Sequence, residues 1–219
     1  MRDQYQHQLD AVLVSIVDLT GDVRNALAEA TRALLEADVA RAETVIGGDI
    51  DIDTARERIE DESFDILARQ APVAGDLRML VAALRMVADL ERMGDLAVHV
   101  AKVARRRYPG KAVPTLLIPT IKAMAATADH MISQAAQIIA NRDVDAALVL
   151  ENTDDQMDTL RRSMFQALLS EEWSEMVEGV EAAVDIALLG RYYERVGDHA
   201  VSMARRLVFI VTGEHPLAV

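Results

Sequence analysis

The sequence contains no cysteine, few aromatic residues and no long uninterrupted apolar run. Without cysteine the chain forms no disulfide, no thiolate metal site and no cysteine nucleophile. Aromatic residues make up only 4% of the chain, whereas hydrophobic residues make up 51%. Alanine, leucine, valine and methionine must therefore fill the core, which favours packed helices over sheets.

Basic residues are also scarce, because 23 lysines and arginines stand against 36 acidic residues and the net charge is -13. A nucleic-acid binder needs a basic stripe to displace counterions, so we expect no nucleic-acid partner. The first residues, MRDQYQHQLD, lack the apolar segment of a signal peptide. No apolar run approaches the ~18 residues of a membrane helix. We therefore expect a cytoplasmic protein without direct membrane insertion.

The apolar periodicity predicts six long helices, at about 3–36, 38–70, 73–107, 115–141, 143–171 and 176–212. Asp38 and Asp143 follow short breaks and are predicted helix N-caps. Pro72 separates the second helix from the third, because proline lacks an amide proton and disfavours helix in the residue before it. The proline-containing segment from Arg105 to Thr120 divides the chain almost in half.

The two halves of the chain repeat each other. Residues 36–54 align with 141–159 at an offset of 105, and residues 91–101 align with 194–204 at an offset of 103. We therefore predict an all-α fold of two tandem three-helix bundles related by a pseudo-twofold axis. The predicted divisions are 1–108 for the first repeat, 109–119 for the linker and 120–219 for the second repeat.

Acidic residues spaced four apart occur twice in each half, so each pair lies about 40° apart on one side of its helix. On the third helix of each half the neighbours on that side are mostly apolar. Carboxylate oxygens suit Mg²⁺, Mn²⁺, Ca²⁺ or ferric iron rather than copper or structural zinc. Alternatively, Glu91 and Glu194 form buried ion pairs with arginines of another helix. The candidate metal ligands are Asp49, Asp53, Glu91, Asp95, Asp154, Asp158, Glu194 and Asp198.

A glycine precedes the second acid of the third helix in both halves, at Gly94 and Gly197. Glycine inside a helix costs about 0.8 to 1.0 kcal/mol relative to alanine, so its repetition calls for a reason. We expect the missing side chain to let another backbone or an ion approach closely. We interpret His99 as a polar-face residue and Trp173 as a packing residue.

The stretch RQAPVAGDLRMLVAALRMVADLERMGDLA, Arg69 to Ala97, and its shorter echo RYYERVGDHA, Arg191 to Ala200, together resemble the PhoU family of phosphate transport and signalling regulators. The resemblance implies a cytoplasmic, non-catalytic negative regulator of phosphate uptake and of the phosphate-starvation response. Its implied partners are the ATPase subunit of the phosphate ABC transporter and a sensor histidine kinase.

The resemblance also implies binding of iron, manganese, magnesium or zinc through the acid-x-x-x-Asp motifs. On this chain those motifs are Glu91 with Asp95 and Glu194 with Asp198, and the four aspartates of the second helices assist them. The second half lacks a clear copy of the turn from Pro72 to Arg78, so the two sites need not be alike.

Two other functions stay open at this point, a metal-dependent phosphoester hydrolase and a purely structural oligomerising bundle. Paired metals held by carboxylates activate water in hydrolases. Within the acid-x-x-x-Asp motifs the only duplicated basic residues are Arg92 and Arg195, which lie about 100° round the helix from Glu91 and Glu194. Formation of a homodimer is equally left open by the sequence.

Overall fold

The computed structural model describes residues 2–174 and 179–214, and no β-strand occurs within them. Six long helices and two short ones account for nearly all of these residues, which confirms the all-α prediction. In chain order the helices are α1 (Arg2–Glu36), α2 (Val39–Gly47), α3 (Asp49–Gln70), α4 (Ala74–Arg107), α5 (Ile118–Asn141), α6 (Val144–Leu168), α7 (Glu171–Ser174) and α8 (Gly179–Thr212).

Local side-chain chemistry sets several helix ends. The Asp38 carboxylate accepts a hydrogen bond from the Arg41 backbone N–H at 3.0 Å, and the Asp143 carboxylate accepts one from the Ala146 N–H at 2.9 Å. Each bond satisfies an amide that the first helical turn leaves unpaired, so both predicted N-caps are confirmed. Helix α3 ends and α4 begins on either side of Pro72, also as predicted.

The second predicted helix is interrupted where the sequence indicated continuity. Gly48 separates α2 from α3: its N–H donates to the Thr44 carbonyl at 2.9 Å, and its carbonyl accepts from the Asp51 N–H at 3.1 Å. The backbone thus passes from one helix to the next with its hydrogen bonds kept. A Cβ at residue 48 would lie 3.2 Å from the Thr44 carbonyl oxygen, so this junction favours glycine for lack of space.

Two further boundaries differ from the predictions. Helix α5 starts at Ile118, after a 3-10 turn over Thr115–Leu117. Helix α6 ends at Leu168 because the Ser170 hydroxyl accepts a hydrogen bond from the Trp173 N–H at 3.2 Å and starts the separate turn α7. The predicted start of the sixth helix, at residue 176, lies outside the described residues.

Helices α1, α2 with α3, and α4 form the first bundle, and α5, α6 and α8 form the second. The two bundles are joined by packing of α4 on α8 and of α1 on α5. Aliphatic residues and methionines fill the core, and Trp173 is buried, as predicted. No helix of the described part of the chain has the length and apolar character needed to cross a membrane. The division at 109–119 remains a prediction.

An ion pair marks the pseudo-twofold axis. Arg24 of α1 donates to both carboxylate oxygens of Asp129 of α5, at 2.8 and 2.9 Å, and the two residues are 105 positions apart. That separation equals the offset between the halves, so equivalent positions touch each other. Residues related by a twofold axis meet only beside it, so the axis passes close to this pair.

Candidate functional site

The first repeat brings its four predicted acids together across α3 and α4, forming what we call the first acidic cluster. Burial raises the pKa of Asp49, and the charges of Asp95 and Asp53 raise it further. Burial likewise raises the pKa of Glu91, with Asp95 adding to the effect. Like charges therefore act on each other across the two helices, and the charge of Arg56, whose Nε lies 4.0 Å from Asp53 Oδ1, offsets them only in part. Asp95 itself is exposed, although its neighbours on the helical wheel are apolar.

The second acidic cluster consists of the equivalent acids of α6 and α8. Burial, followed by the charges of Asp198, Asp158 and Glu194, raises the pKa of Asp154 to about 6. Burial and the charge of Glu194 raise the pKa of Asp198. As in the first repeat, like charges act on each other across two helices that carry facing acid pairs.

Arginines distinguish the second cluster from the first. Glu194 is only 7% exposed and pairs with Arg161 of α6 at 3.1 Å and with Arg191 at 2.6 Å. The predicted alternative of a buried ion pair with an arginine of another helix is therefore confirmed for Glu194. No ion pair within the described residues engages Glu91, its counterpart in the first repeat.

Two exchanges between the repeats explain this difference, and the first is at Arg191, whose equivalent in α4, 103 residues earlier, is Ala88. Arg56 occupies the position equivalent to Arg161, but it pairs with Glu60 at 2.7 Å, one helical turn further along α3. In the second repeat the residue equivalent to Glu60 is Phe165, and the Arg161 guanidinium lies 5.3 Å from the centre of its ring. An aromatic face attracts the cation without consuming its hydrogen bonds, which leaves Arg161 able to reach Glu194.

The predicted metal ligands form two like-charged clusters, but not a finished coordination site. Among residues 2–174 and 179–214, no three histidine, aspartate or glutamate side chains are placed to hold one metal ion together. The donor chemistry still matches hard cations, since every candidate ligand offers carboxylate oxygen. His99 does not join the first cluster: it is exposed and stacks on Tyr192 of α8, with ring centres 5.3 Å apart.

The two repeated glycines make room for hydrophobic side chains, where the sequence suggested a backbone or an ion. A Cβ at Gly94 would lie 3.1 Å from the Cδ1 atom of Ile52 in α3. A Cβ at Gly197 would lie 3.1 Å from the sulfur of Met131 and 3.4 Å from Asp154 Oδ1. Glycine thus allows the helices that carry the acids to approach each other closely.

Sequence reasoning missed a polar network between the two repeats. Asp89 of α4 is 5% exposed and bonds to three side chains of α8: His199 Nδ1 at 3.0 Å, Ser202 Oγ at 3.2 Å and Arg206 Nε at 2.9 Å. Burial raises the pKa of Asp89, but these hydrogen bonds and the Arg206 charge outweigh burial and hold it below its ordinary value. The available signal was the position of Asp89 on the apolar stripe of its helix.

A second missed acid, Asp185 of α8, is 3% exposed and pairs with Arg106 and Arg107 at the end of α4. Charged residues are almost never buried this deeply unless they are paired. Both missed acids therefore hold α4 and α8 in one register across the boundary between the repeats.

Together the fold and the clusters define a class of protein: a duplicated three-helix bundle that carries one acidic cluster between the second and third helices of each repeat. The sequence profile of the PhoU domain matches the chain twice, over residues 16–104 and 121–207. The chain belongs to the PhoU family.

Relatives and solved structures share the architecture over nearly the whole chain. The phosphate-specific transport system accessory protein PhoU homolog 2 of Mycobacterium tuberculosis is 44% identical over 216 residues, which cover 99% of this chain and 100% of that protein. The crystal structure of PhoU from Pseudomonas aeruginosa superimposes with a TM-score of 0.87 at 27% identity, covering 96% of this chain and 100% of the other. The crystal structure of the phosphate transport system regulatory protein PhoU from Streptococcus pneumoniae superimposes with a TM-score of 0.84 at 21% identity. The match covers 98% of this chain and 100% of that chain, and it shows the same fold.

Proposed function

We propose that this protein is a non-catalytic cytoplasmic regulator of phosphate uptake and of phosphate-starvation signalling. It acts as an adaptor that contacts the ATPase subunit of the phosphate ABC transporter and a sensor histidine kinase, and it represses the starvation response when phosphate is plentiful. The observation that carries the proposal is the match of both repeats to the PhoU domain, together with a relative named as an accessory protein of phosphate transport.

The two acidic clusters are the proposed contact sites. Each cluster presents an exposed aspartate, Asp95 or Asp198, at the surface of its bundle. A hard cation, such as iron, manganese, magnesium or zinc, held by these carboxylates would reverse the local charge and attract anionic groups of a partner. The mutual repulsion within each cluster supports cation binding, because an added positive charge relieves it.

The clusters are not equivalent in this proposal. Glu194 already has two arginine partners, whereas Glu91 has none among the described residues. A cation at the second cluster competes with Arg161 and Arg191 for the same carboxylate, and a cation at the first cluster does not. We therefore expect the first cluster to bind a cation more tightly than the second.

The test compares two variants that remove four acidic charges each. The cluster variant carries Glu91→Gln, Asp95→Asn, Glu194→Gln and Asp198→Asn. The matched control changes exposed acids that have no ion pair in the described structure: Asp18→Asn, Glu36→Gln, Asp61→Asn and Glu62→Gln. Each protein is purified, its metal content is measured, and its binding to the purified ATPase subunit and to the cytoplasmic part of the kinase is titrated.

We expect the cluster variant alone to lose metal and to bind both partners more weakly. If both partners bind it as well as they bind the wild type, the clusters are not the contact sites. A phosphatase assay with Mn²⁺ on the same samples tests the hydrolase alternative. If the wild type hydrolyses a phosphoester and the cluster variant does not, the protein is an enzyme and the adaptor proposal is wrong.

A further inference from the structure

A cleft of about 470 Å³ opens in the first bundle where α1, α2, the first turn of α3 and α4 meet. Its floor is apolar and includes the buried side chains of Val45, Ile52 and Val98. Its rim carries the exposed carboxylates of Asp22 and Asp51, which no hydrogen bond or ion pair within the described residues engages. The cleft thus combines an apolar floor with free negative charge at its mouth.

Two small residues create this cleft in the first repeat. Ala26 and Gly48 line it, and the equivalent positions of the second repeat, 105 residues later, hold Met131 and Thr153. Met131 fills the space in front of Gly197, with its sulfur 3.1 Å from the position of a Cβ there. Helix α6 also runs unbroken through Thr153, whereas Gly48 interrupts the corresponding helix. The space is therefore not part of the duplicated architecture.

Part of the charge that lines the cleft is restricted to the first repeat, whereas Asp49, which also lines it, has an acid at the equivalent position, Asp154. Asp22, Glu29 and Asp51 line the cleft, and their equivalents are the uncharged Thr127, Gln134 and Gln156. Glu29 is bonded by Arg32 and by Arg41, which also lines the cleft. The lining carboxylates without an ion pair in the described structure are Asp22 and Asp51, which are exposed, and the half-buried Asp49. The acid-x-x-x-acid motif common to both repeats does not account for these two aspartates.

We propose that this cleft is a socket for one basic side chain, arginine or lysine, of a partner protein. The aliphatic stem packs on Val45, Ile52 and Val98, while the cationic head group lies between the Asp22 and Asp51 carboxylates. Long basic side chains combine these two properties in one group. A bare metal ion gains nothing from an apolar floor. An anion would meet four lining carboxylates against a single arginine, Arg41, which is already paired with Glu29.

The socket is a more specific part of the proposed adaptor function, and the identity of its partner rests on that function. It adds the chemistry of a contact, a basic residue on the partner's surface, in a cleft that borders the first acidic cluster at Asp49 but has its own apolar floor and its own two rim aspartates. A basic partner surface is attracted to this chain, whose net charge is -13, and this attraction also raises the rate of encounter.

The probe is a short peptide with one arginine between two leucines, added to the full-length protein labelled with ¹³C in its valine, leucine and isoleucine methyl groups. We expect saturable NMR shifts centred on the methyl groups of Val45, Ile52 and Val98. A peptide with citrulline in place of arginine keeps the shape without the charge. It should bind about tenfold more weakly or worse, because a charge-assisted hydrogen bond is lost.

Matched variants test whether the rim and the floor act as proposed. Asp22→Asn with Asp51→Asn should weaken the arginine peptide about tenfold. Asp18→Asn with Asp61→Asn removes the same charge from the same two helices outside the cleft, and it should leave the affinity nearly unchanged. Ala26→Met introduces the residue of the second repeat and should block binding with both rim carboxylates intact.

Several results would overturn the socket: absence of saturable shifts, equal binding of the citrulline peptide, or equal losses in the two aspartate pairs. The same shifts with Mg²⁺ alone would make the cleft a metal site. If the same methyl groups shift when the protein concentration is raised without any peptide, the cleft is a contact between copies of this chain. Shifts with free agmatine but not with the peptide would make it a site for small amines.

Failure of the socket is distinguishable from failure of the adaptor function. If the ATPase subunit and the kinase bind as proposed but the peptide does not, only the socket is wrong. If the peptide binds but neither protein does, the socket stands and the identity of the partner is wrong.

Discussion

At Gly94 the space that a side chain would need is occupied by a stiff neighbour. Ile52 is β-branched and buried, so it cannot easily move away from an added Cβ at 3.1 Å. We expect Gly94→Ala to lower the free energy of unfolding by about 1–2 kcal/mol, because overpacking outweighs the gain in helix propensity. Urea denaturation measures the change.

The control for this residue is Gly21, which lies in α1 and has no neighbouring atom within 4 Å of the position that a Cβ would occupy. Gly21→Ala should raise the free energy of unfolding by roughly 0.5–1 kcal/mol through helix propensity alone. Gly197→Ala should cost less than Gly94→Ala, since Met131 is flexible and can withdraw. If Gly94→Ala is as stabilising as Gly21→Ala, the close approach of α3 does not depend on the glycine.

At the scale of elements, the contact between α4 and α8 depends on a few buried charges. His199 bonds to Asp89 through Nδ1, while its Nε2 atom is buried without a partner in the described structure. Asp89→Ala therefore leaves the ring without a hydrogen bond and Arg206 without its carboxylate. We expect a loss of about 1–3 kcal/mol in the free energy of unfolding, the cost of an unsatisfied buried polar group.

Urea denaturation with Asp61→Ala as the control isolates this effect, because Asp61 is an exposed acid with no ion pair in the described structure. The control should change the free energy of unfolding by less than about 0.5 kcal/mol. Equal effects of the two substitutions would mean that the Asp89 network does not hold α4 against α8.

At the scale of the whole molecule, the two bundles share too much contact to unfold separately. Helix α4 packs on α8, α1 packs on α5, and Arg24 pairs with Asp129 across the axis. We expect a single cooperative transition in urea. Fluorescence of Trp173, the only tryptophan, reports on the second repeat, whereas far-UV circular dichroism reports on both. The two curves should coincide, and an earlier loss of dichroism would show that the first repeat unfolds independently.

The sequence by itself determined the helices, their repetition and the positions of the acids. Caps such as Asp38 and breaks such as Pro72 act on backbone groups within a few residues, so local chemistry fixes helix ends without reference to the rest of the chain. The repeat then predicted the paired bundles, and its four-residue acid spacing predicted which carboxylates share a helix face.

Only the tertiary structure decided what each charged side chain meets. Arg56 and Arg161 are equivalent in sequence, yet one pairs with Glu60 and the other reaches Glu194. Asp89 finds its partners more than a hundred residues away. The cleft beside Ala26 likewise exists only because four helices leave a space that Met131 fills in the other repeat. Ion pairs and cavities depend on the relative placement of helices, which no local pattern specifies.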